Sequence, residues 1–129
     1  MKKLSILVVV LLSYVLLAFG QTSPCGPHTP TPGVAHVCIA WIAPTTGPVV
    51  SSYNVYRATT AGGESYTSPA LGNTTSTFYY DATVVDGTTY YYTVLSVGSG
   101  GALSSPSSEV SSLPVSPSNP TSPSASSVP

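Results

Sequence analysis

Asp86-Gly87-Thr88-Thr89-Tyr90-Tyr91-Tyr92-Thr93-Val94-Leu95-Ser96-Val97 reads as a turn running into a strand. Aspartate bonds its own backbone in turns, and glycine reaches positive φ without a Cβ clash. The residues after the turn are aromatic or β-branched and alternate, so Tyr90, Tyr92, Val94 and Ser96 share one face of a half-buried strand. Five other stretches have strand composition: Val34 to Trp41, Ser52 to Ala58, a weaker one from Ser65 to Leu71, Thr77 to Val84, and Glu109 to Leu113. Turn residues separate them and no helical periodicity intervenes. Short strands at this spacing predict an all-β sandwich of two antiparallel sheets.

Alternation assigns the core face of each strand. Val37, Ile39 and Trp41 lie on one side of the first, Tyr53 and Val55 on the next, then Phe78, Tyr80, Ala82 and Val84, then the Tyr90 series, and Val110 on the last. Trp41, Tyr53, Tyr80 and Tyr90 are the large members of this expected core. About 90 residues are enough for one such core without obligatory staples.

The two ends of the chain have other compositions. Lys2-Lys3 precede an apolar run from Leu4 to Phe19, and Ala18-Phe19-Gly20 supplies small residues for a peptidase, so residues 1–20 read as a secretory signal peptide cleaved after Gly20. The run falls short of the roughly 20 apolar residues that span a bilayer comfortably. Membrane contact is expected only through this segment, if it stays uncleaved. Cys25 follows Pro24 rather than a small residue, which does not support lipid attachment. Residues 115–129 hold Ser and Pro at short intervals with no aromatic and no charge, the composition of a disordered tail. The expected organisation is therefore residues 1–20 signal peptide, 21–33 an N-terminal segment with a weakly encoded first strand, 34–114 the domain, and 115–129 the tail. Without the leader, Arg57 faces Glu64, Asp81, Asp86 and Glu109, a net charge of −3 with histidines neutral. One cation cannot release the counterions of a phosphate backbone, so nucleic acid is excluded as a partner.

Trp41-Ile42-Ala43-Pro44, Tyr53-Asn54-Val55-Tyr56-Arg57, Tyr80-Asp81-Ala82-Thr83-Val84 and Gly87-Thr88-Thr89-Tyr90-Tyr91-Tyr92 occur in the order and spacing of strands B, C, E and F of fibronectin type III domains. From Val34 to Leu113 the chain resembles a bacterial-style member of that family. The resemblance implies an immunoglobulin-like sandwich in which the Tyr90 hydroxyl bonds backbone between Val84 and Asp86. It also implies that strands C and F are neighbours. Tyr56, Tyr91 and Leu95 then point outward on one face, the candidate binding surface for sugar rings or a partner domain. The family's first strand falls on Thr29-Pro30-Thr31-Pro32-Gly33, which is poor in strand formers. The loop Gly98-Ser99-Gly100-Gly101-Ala102 carries no Arg-Gly-Asp triplet, so integrin adhesion is not implied.

Cys25 and Cys38 both lie in the exported part, where oxidising conditions favour a disulfide. Cys38 faces away from the core, and a turn around Thr31-Pro32 brings Cys25 beside it. His28 and His36 fall inside the same loop, which leaves a zinc or copper site on Cys25, His28, His36 and Cys38 as the alternative. No cofactor is expected. No serine lies in a nucleophile elbow, Asp81 and Asp86 occupy turn positions, and Glu64 sits in a glycine-rich loop, so no catalytic residue is assigned. Asn73-Thr74-Thr75 is a glycosylation sequon that matters only in a eukaryotic secretory pathway. The functional expectation is a secreted, periplasmic or cell-surface module for binding, adhesion or spacing, whose partner is an extracellular protein or polysaccharide. In bacteria such modules resemble accessory parts of extracellular polysaccharide-degrading enzymes, and the resemblance implies a glycan surface as partner. Alternatives are a structural subunit assembling through an open sheet edge and an exported metal-binding protein.

Overall fold

Valine, isoleucine, threonine and the aromatics suit a pleated, half-buried surface better than a helix, where they lose χ1 freedom. The chain follows that preference. The computed structural model describes residues 8–10, 25, 31 and 33–116, of which none is helical. The strands are β1 (Val8–Val10), β2 (Val37–Trp41), β3 (Val50–Ala58), β4 (Gly72–Thr74), β5 (Phe78–Asp81), β6 (Tyr90–Gly98) and β7 (Val110–Ser112). They form two antiparallel sheets with the orders β1-β2-β5 and β4-β3-β6-β7. The fold is an all-β sandwich.

The longest ladder joins β3 to β6, from Val50 opposite Gly98 to Ala58 opposite Tyr91, with one irregularity between Val50 and Ser52. Its alternation is the expected one. Val37, Ile39 and Trp41 of β2 pack against Tyr53 and Val55 of β3 and Tyr90, Tyr92 and Val94 of β6, with Val84 joining them. Trp41 and Tyr53 meet edge to face with centroids 5.2 Å apart, the geometry that aligns a positive ring edge with a negative ring face. At the corner before β6, Gly87 at φ +75° completes a turn closed by the Thr88 amide on the Val85 carbonyl. The Val85 amide donates to the Tyr90 hydroxyl at 3.1 Å. That bond falls inside the Val84 to Asp86 window named from the sequence.

Two expectations need correction. Ser65 to Leu71 is not a strand; the ladder on β3 starts one residue later, where the Leu71 amide bonds the Val55 carbonyl and β4 follows. Pro69 has no N–H to offer a ladder. Gly72 opens β4 because a Cβ there would sit 2.3 Å from the Tyr79 ring, so only glycine admits that ring. The second correction concerns β5, whose register is one residue out. Tyr79, not Phe78 or Tyr80, packs on the core, and Asp81 is buried while Ala82 is exposed. Tyr80 is therefore not a core residue. A carboxylate takes the inward position because partners wait for it on the opposite sheet.

Val8–Val10 lie within the stretch read as a signal peptide, and they pair antiparallel with β2. The remainder of that stretch and residues 117–129 of the tail lie outside the described residues.

Candidate functional site

The inward alternation of β3 that buries Tyr53 and Val55 also turns Arg57 inward, at the end of the strand. Its guanidinium lies over the Tyr90 ring, 4.7 Å from the centroid, and Nη1 donates to Asp81 Oδ2 at 2.6 Å and to Thr83 Oγ1 at 2.9 Å. The Tyr92 hydroxyl donates to the same Asp81 oxygen at 2.9 Å. Thr83 donates its amide and its hydroxyl to Asp81 Oδ1 at 2.9 and 2.7 Å. Asp81 is 1% exposed. Burial opposes its ionisation, but the bonds from Thr83, Arg57 and Tyr92 outweigh burial and hold the carboxyl below the usual carboxylate value. Burial pushes the Tyr92 phenol far up, and the Asp81 charge adds to the shift. The cluster ties β5 of one sheet to β3 and β6 of the other. An aspartate held ionised by donors on all sides is an anchor rather than a proton carrier.

The outer face of β3 and β6 carries Tyr56 and Leu95 as expected from alternation, yet neither is exposed. Tyr56 is 5% and Leu95 3% exposed, and Tyr91 is half-buried. Tyr66, from the 59–71 loop, lies edge-on against Tyr56 with centroids 5.1 Å apart, and its hydroxyl hydrogen-bonds Thr93 Oγ1 at 3.2 Å. The loop thus covers the Tyr56 and Thr93 part of the face that was read as an open binding surface. A cleft of about 430 Å³ remains between the loop and the end of β3, with Tyr56, Thr59, Thr60, Ser65, Ser68 and Pro69 among its walls. Arg57 also reaches it, but its charge is engaged by Asp81, and no carboxylate lines the cleft. The accessible walls of the cleft are rich in hydroxyl groups. No sequence pattern marks it, because its walls come from a loop whose course is set by the contacts of Tyr66.

Cys25 and Cys38 form a disulfide with Cα atoms 6.3 Å apart. Tyr80, turned outward, donates its hydroxyl to the Cys25 carbonyl beside it. The disulfide uses both thiols that the metal alternative required; His28 lies outside the described residues, and among those described no three His, Cys, Asp or Glu side chains gather into a metal-binding group. Near the far edge, the Gly62 amide donates to Glu109 Oε2 at 2.6 Å. Burial raises the Glu64 carboxyl, its own backbone bond opposes this, and the nearby Glu109 charge raises it further.

No family model and no curated protein matches the chain. Among solved structures it is similar to a Fn3-like protein from Clostridium thermocellum, at 32% identity and a TM-score of 0.51, covering 66% of this chain and 80% of that one. Domains A168–A170 of titin match at 26% identity and a TM-score of 0.50, over 64% of this chain and 28% of theirs. Pectate lyase PelI from Erwinia chrysanthemi matches at 17% identity and a TM-score of 0.52, over 83% of this chain and 28% of that one. This last likeness concerns the fold alone. Paired antiparallel sheets, the Tyr90 corner bond and the likeness to the Clostridium protein together make the chain a fibronectin type III-like, immunoglobulin-like β-sandwich.

Proposed function

We propose that the chain is an exported member of the fibronectin type III family that acts as a non-catalytic module binding a neutral polysaccharide. The observation that carries this reading is the cleft under the 59–71 loop. Its volume of about 430 Å³ falls in the range of small-ligand sites. Hydroxyls of Thr59, Thr60, Ser65 and Ser68 offer both donors and acceptors to a ligand. Hydroxyl-rich walls, whose one cation Arg57 is already paired with Asp81, complement an uncharged, hydroxyl-rich ligand. Export is supported by the leader-like residues 1–20 and by the Cys25–Cys38 disulfide, since such bonds persist in oxidising compartments. The proposal moves the binding surface from the face of Tyr56, Tyr91 and Leu95 to the cleft beside it, with Tyr56 as the shared residue.

Pull-down on insoluble neutral polysaccharides tests the reading, with Ser68→Trp as the blocking variant. Ser68 is exposed, so the substitution fills the cleft at little cost in stability. Retention of the parent chain and release of the variant are expected. Equal retention of both would remove the cleft from the account.

A further inference from the structure

We propose that the neutral polysaccharide taken by the cleft runs on from it over a polar row on the outer face of β3 and β4, where Asn54, Asn73 and Ser52 bind further sugar rings of the same chain. The inference rests on the reading of the cleft and adds a direction and a length to it. The module would grip a run of sugar units rather than a single one.

Alternation places the row. Tyr53 and Val55 of β3 point into the core, so Ser52, Asn54 and Tyr56 lie on the outer face. Asn73 of β4 stands opposite Asn54 in antiparallel register and therefore shares that face. Tyr56 joins the row to the cleft, since it lines the cleft and its hydroxyl accepts from Asn54 Nδ2 at 3.5 Å. Tyr66 covers the face over Tyr56 and Thr93, whereas Asn73 is exposed and Asn54 and Ser52 are half-buried. From Tyr56 to Ser52 the strand advances about 13 Å, a path longer than the cleft alone provides.

The three side chains hold one another in place and are still incompletely used. Both N–H groups of the Asn73 amide are engaged, by Ser52 Oγ at 3.0 Å and by Asn54 Oδ1 at 2.8 Å. Asn73 Oδ1 accepts no bond among the described residues, and Asn54 has a second N–H to give beyond the one directed at Tyr56. The Ser52 hydroxyl accepts from Asn73 and keeps its own proton to donate. A donor, an acceptor and a donor thus stand in line on Ser52, Asn73 and Asn54. Neighbouring sugar hydroxyls each donate and accept, so they can meet adjacent members of this line, and none of its members is charged. Side chains already fixed by their neighbours lose little freedom when a ligand binds.

The test titrates the exported chain with glucan, mannan and xylan oligosaccharides of increasing length, read by calorimetry and by the side-chain amide resonances of Asn54 and Asn73. In the series that binds, a disaccharide should shift cleft residues only. Longer members should bind about tenfold more tightly and move both side-chain amides. Asn73→Ala should remove that gain and leave disaccharide binding unchanged; Asn73 is exposed on a three-residue strand, so the variant should keep its fold. Should it not fold, the two side-chain resonances of the unaltered chain still decide. Equal affinity at every length overturns the row and leaves the cleft standing, as does a gain with length that survives Asn73→Ala or leaves both side-chain amides unmoved. Binding of no member of any series would remove the row and the cleft together.

Discussion

Asp81→Ala should destabilise the sandwich by about 3 kcal/mol, and the structure shows where the loss arises. The Tyr92 hydroxyl is fully buried and donates to Asp81 alone among the described residues, so the substitution leaves it unsatisfied, at about 1 to 3 kcal/mol. Breaking a fully buried ion pair costs about 3 to 5 kcal/mol, but the Arg57 side chain is 24% exposed and can turn partly to water, which reduces that contribution. Asp86 provides the control. It is exposed and, among the described residues, its side chain bonds only Ser116 Oγ at 3.2 Å, so Asp86→Ala should stay within about 0.5 kcal/mol of the parent. Urea denaturation at neutral pH measures both, and a cycle with Tyr92→Phe should return a coupling of about 1.5 kcal/mol or more with Asp81. The pH dependence carries its own sign. Because the folded carboxyl lies below its unfolded value, the contribution of Asp81 is complete above the unfolded pKa of about 3.9 and is lost as pH falls through the folded one. Asp81→Asn should flatten that acid limb. An Asp81→Ala variant as stable as the Asp86→Ala control would refute the idea that this cluster clamps the sheets.

Other expectations follow from the same packing. Trp41→Ala should cost about 3 to 5 kcal/mol through the cavity it leaves, whereas Tyr90→Phe should cost about 1 through the lost corner bond; urea melts that reverse this order would contradict the core assignment. Reducing the Cys25–Cys38 disulfide, which closes a loop of sequence separation 13, should lower stability by about 3 kcal/mol, read as a shift in the denaturation midpoint with and without reductant. Glu64 binds its proton more tightly in the folded chain, so its contribution is present below the unfolded pKa and is lost as pH rises through the folded one. Glu64→Gln should therefore stabilise at neutral pH and change little in acid, as thermal melts across pH will report.

Much of the sandwich was legible because its long strands repeat one signal. Tyr90, Tyr92 and Val94 on β6 and Tyr53 and Val55 on β3 alternate without conflict, and the structure buries each of them. The Phe78-Tyr79-Tyr80-Asp81 strand was not legible in the same way. Its aromatics fit either face, and placing Phe78 and Tyr80 inward kept the carboxylate in water, the cheaper choice for a charge without a partner. The partner was nevertheless written in β3, since Arg57 has the parity of Tyr53 and Val55 and an inward arginine requires an acid. Two strands had to be read together to see it. The candidate binding face failed for a different reason. Alternation gives the side of a sheet on which Tyr56 and Leu95 project, but says nothing about a loop such as 59–71 returning over that side.

Binding at the cleft is most directly tested by titrating isotope-labelled exported protein with short neutral oligosaccharides and following its backbone amide resonances. The account predicts saturable shifts confined to residues 56–60 and 63–71, absent from Ser68→Trp. Shifts centred elsewhere on the sandwich, or no shifts with any neutral sugar tried at millimolar concentration, would contradict it.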